Sequence, residues 1–109
     1  RGMTPIAQIA LDLSYTDTKV WARVYAPLRA ASDEEWSCSF EISEPIAIER
    51  TIHGNSSLQA LMLALKTMSS YLYGSEAYEN KQLGIGGEFG GNLSIPAPSM
   101  FLDVAPFPF

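Results

Sequence analysis

Hydrophobic and polar residues alternate along four stretches in the first half of the chain. This period of two is typical of strands with one buried face, and it predicts strands at about residues 6–13, 19–26, 35–43 and 46–53. The third stretch alternates most regularly; its apolar residues are Trp36, Cys38, Phe40 and Ile42. The short link at Glu44-Pro45 predicts that the last two strands form an antiparallel hairpin. Arg50 falls among the apolar positions of the fourth strand, which indicates an edge position or a bulge.

After Gly54 the period changes from two residues to that of a helix. Ser56 and Gln59 fit a capping box, and we predict one long helix over about residues 57–79. Its predicted apolar stripe consists of Leu58, Leu61, Leu65, Met68 and Leu72. Further apolar residues flank this stripe, so we expect the helix to be covered on more than one side.

The composition shifts after Leu83 to glycine and proline with apolar clusters. We predict an irregular C-terminal arm over residues 84–109, which packs through residues such as Phe101 and Phe107 on its own domain or on a second copy. The glycines of 84–91 indicate a connector or a turn-rich hairpin, because a phosphate-binding loop would lead into a helix. The predicted fold is therefore α+β: a four-stranded antiparallel meander against one long helix in a domain of residues 3–83, followed by the arm.

The composition excludes several classes of protein. The 109 residues fit a single domain. One cysteine and one histidine cannot form a disulfide framework or a Cys/His zinc cluster, and we expect no cofactor. A net charge of −5 offers no basic footprint for nucleic acid. Nothing after Met3 resembles a secretory signal, and no apolar run is long enough to span a membrane, so we expect a cytoplasmic protein.

Cys38 and His53 are the only candidates for a thiol nucleophile and an imidazole base. The alternation places Cys38 on the buried face of its strand, and His53 has the opposite parity in the next strand. We therefore interpret Cys38 as a small core residue and leave His53 as a polar strand-end residue, a ligand for a partner or a general base.

Acidic residues are concentrated in one part of the chain: six of the twelve carboxylates lie between residues 33 and 49. By parity Glu41 and Glu49 share the outer sheet face with His53. This face could be an ordinary solvated surface, could bind a cationic partner, or could support an enzyme that uses His53 with Glu41 or Glu49. Their spacing does not suit a divalent metal ion.

The second strand places its bulky residues on one face and its small ones on the other. Trp21, Arg23 and Tyr25 share one parity, and small valine and alanine residues share the other. The large side chains either form the core or form an exposed strip, and residues of these types are common anchors in protein interfaces. We favour a contact surface that the C-terminal arm or a second subunit covers.

The segment from Trp36 to Leu72 resembles a family of small bacterial proteins that is known only as a domain of unknown function. The resemblance rests on a W-x-C-x-F-x-I strand at residues 36–42 and on a G-x-x-S-L-Q-A-L helix start at residues 54–61, in which Ser56 stands where an aspartate is expected. It implies a bacterial origin and a hairpin followed by a helix. It implies no chemistry.

These observations favour a non-enzymatic binding or self-assembly module. Because the helix and the tail are more apolar than one sheet can cover, we expect a homodimer. The alternatives are a small acidic immunity- or antitoxin-like protein that masks a basic partner, and the His53 enzyme described above.

Overall fold

The computed structural model describes residues 4–30 and 35–97. These residues form one antiparallel sheet with one long helix and one short helix. In chain order the elements are β1 (Ala7–Leu13), β2 (Thr16–Val24), β3 (Leu28–Arg29), β4 (Trp36–Ile42), β5 (Ile48–Gly54), α1 (Ser57–Tyr73), α2 (Glu76–Glu79), β6 (Leu83–Ile85) and β7 (Glu88–Phe89). The fold is α+β, as the alternation and the change of period predict.

Every strand pairing in the described residues is antiparallel. β1 pairs with β2, β2 with β4, and β4 with β5. β3 also pairs with β4; because β5 occupies the whole of the other edge of β4, β3 lies in line with β2. On the far side of β1, β6 and then β7 extend the sheet. The sheet therefore ends in β5 on one side and in the short strand β7 on the other.

The prediction of a four-stranded meander is wrong in its strand count, because the sheet has seven strands. Pro27, which has no N–H group to donate, separates β3 from β2. The other two additional strands lie where an irregular arm was predicted. There Gly86 and Gly87 both have positive φ values, +63° and +85°, as the tightest hairpin turns require.

The core lies between the sheet and α1. On β2 and β4 alternate residues are buried, among them Val20, Val24 and Phe40. On α1 the fully buried residues include Ala60 and Ala64, whose small side chains allow close approach to the sheet. The predicted apolar stripe of the helix is wrong at its first position, because Leu58 is 66% exposed.

The helix begins as the sequence predicts and ends earlier. The backbone N–H of Gln59 donates to Ser56 Oγ (3.0 Å), and Gln59 Oε1 accepts from the N–H of Asn55 (2.6 Å). The predicted helix over 57–79 is two helices, because α1 ends at Gly74 and α2 starts after a new N-cap at Ser75.

Residues 90–97 lie beside α1 and complete the core. Leu93 is fully buried, and its N–H donates to the hydroxyl of Tyr73 (3.1 Å), which in turn donates to the carbonyl of Ile95 (2.6 Å). Ser69 Oγ donates to the carbonyl of Pro96 (2.6 Å). This segment is therefore bonded to the C-terminal half of α1.

Arg50 lies in the edge strand β5 in regular register opposite Phe40, without a bulge. Its Nε donates to the hydroxyl of Tyr71 (3.1 Å), and its guanidinium carbon lies 5.7 Å from the centre of that ring. The contact with the helix explains why a charged residue occupies a position of apolar parity.

Candidate interaction surface

The outer face is the sheet face turned away from α1. It carries the residues that alternate with the core positions of β1, β2, β4 and β5. Those discussed below are Gln8, Trp21, Arg23, Tyr25, Ser39, Glu41, Glu49, Thr51 and His53. The strand register sets their neighbours, because directly paired residues lie side by side on the same face.

Arg23 is the centre of a cluster that spans three strands. Its Nε donates to Gln8 Oε1 (3.0 Å), and its Nη1 lies 3.8 Å from Glu41 Oε2. Its guanidinium carbon is 5.0 Å from the centre of the Trp21 ring. Trp21 and Arg23 are both half-buried. The cluster therefore holds a cation against an aromatic ring in a fixed position.

Tyr25 differs from its two neighbours in the predicted strip. Its side chain is 4% exposed, and its hydroxyl donates to Glu41 Oε1 (2.5 Å). The expectation of an exposed Tyr25 ring is wrong, because the ring is buried and only its polar end reaches the outer-face cluster. Together with Arg23 it fixes both oxygens of the Glu41 carboxylate.

Two carboxylates lie side by side where β4 meets β5. Glu41 pairs directly with Glu49, and the next pair on the same face is Ser39 with Thr51, whose hydroxyls are 2.8 Å apart. Like charges on directly paired residues destabilise a sheet. This part of the outer face therefore holds two adjacent carboxylates, one of which, Glu41, is bonded to Tyr25 and paired with Arg23.

His53 lies at the far end of β5 from this acidic pair. It is four residues from Glu49, which at about 3.3 Å per residue is about 13 Å along the strand. The structure therefore does not bring His53 together with Glu41 or Glu49, as the enzyme hypothesis requires. His53 instead lies beside Glu35, whose Oε2 is 3.8 Å from His53 Nδ1, and both side chains are more than half exposed.

Cys38 is a core residue, as its parity predicts. It is 1% exposed, its thiol donates to the carbonyl of Tyr25 (3.2 Å), and burial raises the pKa of the thiol. A buried thiol with a raised pKa is a poor nucleophile.

The carboxylate of Asp12 on β1 accepts hydrogen bonds from two neighbouring parts of the sheet. Lys19 donates to it, and the backbone N–H groups of Gly87 and Gly86 point at it from the β6–β7 turn. The Lys19 hydrogen bond is the main reason that the pKa of Asp12 lies below its ordinary value, and it outweighs the opposing effect of desolvation. The contact joins the first hairpin to the last one.

One cleft of about 460 Å³ lies at the opposite end of the molecule from the helix start. Its wall is formed by Ile46 and Ile48, by Tyr71 near the end of α1, and by Tyr15 of the first turn. In residues 4–30 and 35–97 no group of three or more His, Cys, Asp or Glu side chains could hold a metal ion. In the same residues no helix is long and apolar enough to cross a membrane.

The sequence assigned Trp21, Arg23, Glu41, Glu49 and His53 to one surface, and the structure places all five on the outer face. It did not include Gln8, although the alternation of the first strand already gave Gln8 polar parity. The missing information was the register, which pairs Gln8 with Arg23. Phe101 and Phe107, which were predicted to contribute to a contact surface, lie outside the described residues.

The sheet, α1 and the outer face define a small α+β domain with one helix-covered sheet face and one polar, aromatic face. Residues 8–97 match the family described as Domain of unknown function (DUF6968), and the chain belongs to that family. This agrees with the resemblance of the Trp36–Leu72 segment at the level of an uncharacterised domain family. Comparisons with curated proteins and with solved structures found no match, so no function is given by relatives.

Proposed function

We propose that this domain is a non-enzymatic binding module that contacts a protein partner through its outer face. The observation that carries the proposal is the Arg23 cluster, in which Gln8, Glu41 and Trp21 hold one guanidinium group. Trp, Tyr and Arg dominate the energetic centres of protein interfaces. Since the cluster fixes these side chains before binding, less side-chain entropy is lost on association.

The positions of the candidate catalytic residues support a non-enzymatic role. Cys38 is buried, and His53 lies about 13 Å along the strand from Glu49. The cleft beside Tyr71 has mainly apolar walls and contains neither residue. A cytoplasmic location in a bacterium is part of the proposal; the single unpaired thiol suits a reducing compartment.

Comparative capture of proteins from a native lysate tests this proposal. The full chain and its Trp21→Ala and Arg23→Ala variants are immobilised at equal density, and the retained proteins are quantified by mass spectrometry. We expect at least one protein whose retention falls about tenfold or more in both variants, the loss that an interface centre produces.

Leu58→Ala is the matched control, because Leu58 is an exposed apolar residue on α1. It should retain the same protein at the wild-type level, and circular dichroism should show that all variants are folded. Equal retention by wild type and Trp21→Ala would contradict the proposal.

A second candidate function is neutralisation of a basic, toxin-like protein by the acidic part of the outer face. It is favoured by the direct pairing of Glu41 with Glu49, because two adjacent carboxylates on one face are complementary to a cationic surface. In that case retention falls steeply with added salt and with Glu49→Gln. If salt has little effect and Trp21→Ala abolishes binding, the result supports the binding module centred on the Arg23 cluster and contradicts neutralisation of a basic protein.

A further inference from the structure

We propose that β5 is the site of homodimerisation, by antiparallel pairing with β5 of a second copy across a two-fold axis at Thr51. β5 is seven residues long and pairs with β4 alone among the described strands. A long edge strand of this kind is a ready template for another strand. The proposal is independent of the partner-binding role of the Arg23 cluster.

The backbone of the sheet determines which residues of β5 point toward a partner strand. The N–H of Tyr25 donates to Ser39, and the N–H of Ser43 donates to Trp21, so odd-numbered residues of β4 bond to the β2 side. Even-numbered residues of β4 therefore bond to β5, where they pair with even-numbered residues. It follows that the backbone N–H and C=O groups of Glu49, Thr51 and His53 point away from β4, toward the side of β5 where a second strand could pair.

The side chains of β5 favour one register of self-pairing. With the two-fold axis at Thr51, the two Thr51 residues face each other, and Glu49 of each copy faces His53 of the other. An acidic residue opposite an imidazole and a threonine opposite a threonine are both favourable cross-strand pairs.

The neighbouring registers lack this complementarity. An axis at Arg50 would set two arginines opposite each other, which is unfavourable. An axis at Ile52 would place Glu49 opposite Asn55 and remove the acid–imidazole contact. A second copy of this chain is therefore the partner whose charge pattern fits the edge.

The residues of α1 beside β5 would be drawn into the same contact. Tyr71 bonds to Arg50, and Thr67 and Leu63 lie on the same side of the helix, one and two turns earlier. Leu63 is half-buried in one chain. Pairing of two β5 strands would bring the two helices along this side toward each other and would cover more of Leu63.

The mass of the full chain in solution gives the first test, by light scattering during size-exclusion chromatography. We expect twice the 11.9 kDa of one chain, falling toward the monomer mass only on strong dilution. A monomer at every concentration would overturn the proposal; this includes the case in which another segment of the same chain occupies the edge.

A charge exchange tests the register. Glu49→Lys and His53→Glu should each weaken dimerisation by about tenfold, because the first removes the carboxylate that faces His53 and the second sets two carboxylates opposite each other. The double variant should return to within about threefold of wild type. Glu88→Lys in β7, which carries the same charge change at the other edge, should have no effect. If the double variant is as weak as the single ones, the proposal fails.

A disulfide gives an independent readout. Thr51→Cys should form a cross-linked dimer under mild oxidation, since paired Cα atoms lie about 5.5 Å apart. Glu49→Cys should not, because its two copies would be about 13 Å apart. The native Cys38 is buried and leaves the readout clear. Cross-linking at Glu49→Cys with none at Thr51→Cys would overturn the register, and Trp21→Ala should leave the dimer intact in either case.

Discussion

Asp12 and Arg23 are charged side chains on neighbouring strands with different surroundings. Arg23 contacts groups on three strands and stacks on Trp21, which suits it to an interface. Asp12 contacts Lys19 and the turn glycines of the last hairpin, which suits it to holding the fold together. On the same sheet, we therefore expect Arg23 to matter for binding and Asp12 to matter for stability.

Replacement of Asp12 by asparagine should change how stability depends on pH. Since the native pKa of Asp12 is lowered, its contribution is fully present above its ordinary pKa, near 4, and is lost as the pH falls through the native value. The difference in unfolding free energy between wild type and Asp12→Asn should be largest near neutral pH and shrink in acid. Urea unfolding over a pH series measures it. Asp17→Asn, at an exposed position of β2, is the control, and an equal acid-dependent difference there would contradict the assignment.

Single residues could be predicted well where parity alone decides their environment. Cys38 is in the core, and Glu41, Glu49 and His53 are on the outer face, as alternation predicts. Tyr25 could not be predicted, because its burial depends on how the end of β2 packs rather than on parity. The pairing of Gln8 with Arg23 depends on register, which a single strand pattern does not specify.

At the scale of elements, a few neighbouring residues were enough to predict where α1 starts. The last two strands were not predicted, because the glycines in this region are typical of loops. Ser56 caps α1 because its side chain can accept from Gln59, which is a property of four neighbouring residues. β6 and β7 are only three and two residues long, and β6 has a glycine at its centre, Gly84, which ordinarily weakens a strand. They form because β6 pairs with the free edge of β1. This pairing joins distant parts of the chain, so the local sequence does not reveal it.

Gly84 should be the most sensitive position of the β6–β7 hairpin. A Cβ atom there would lie 2.0 Å from the carbonyl oxygen of Glu88 and 2.8 Å from the Cα of Phe89. Gly84→Ala should therefore cost about 1–3 kcal/mol of unfolding free energy, or more where the backbone cannot shift. Gly91→Ala, where no atom lies within 4 Å of the added Cβ, should stay within about 0.5 kcal/mol of wild type. Similar losses in both variants, measured by urea unfolding, would show that the close approach is not the cause.

At the scale of the whole molecule, the segment 90–97 contributes to the core through Leu93, with Ile95 packed against it. Leu93 is fully buried, whereas Leu58 is 66% exposed on α1. Leu93→Ala should lower the free energy of unfolding by about 2–5 kcal/mol, and Leu58→Ala by less than about 0.5 kcal/mol. Thermal or urea unfolding of the two variants compares the same chemical change at two sites. A small loss at Leu93 would mean that this segment packs only loosely on the sheet.

The two ends of the sheet differ in length, and this difference limits how far copies of the chain can assemble. β5 offers seven residues to a second copy, whereas β7 offers two, immediately before the glycines at 90 and 91. Each chain then has one edge strand that is long enough to pair with another copy. In the terms of polymer chemistry it is a monofunctional monomer, and assembly through this edge ends at two chains. In the proposed dimer the long edge of each chain is covered, which would protect the protein from the open-ended stacking of strands that leads to fibres.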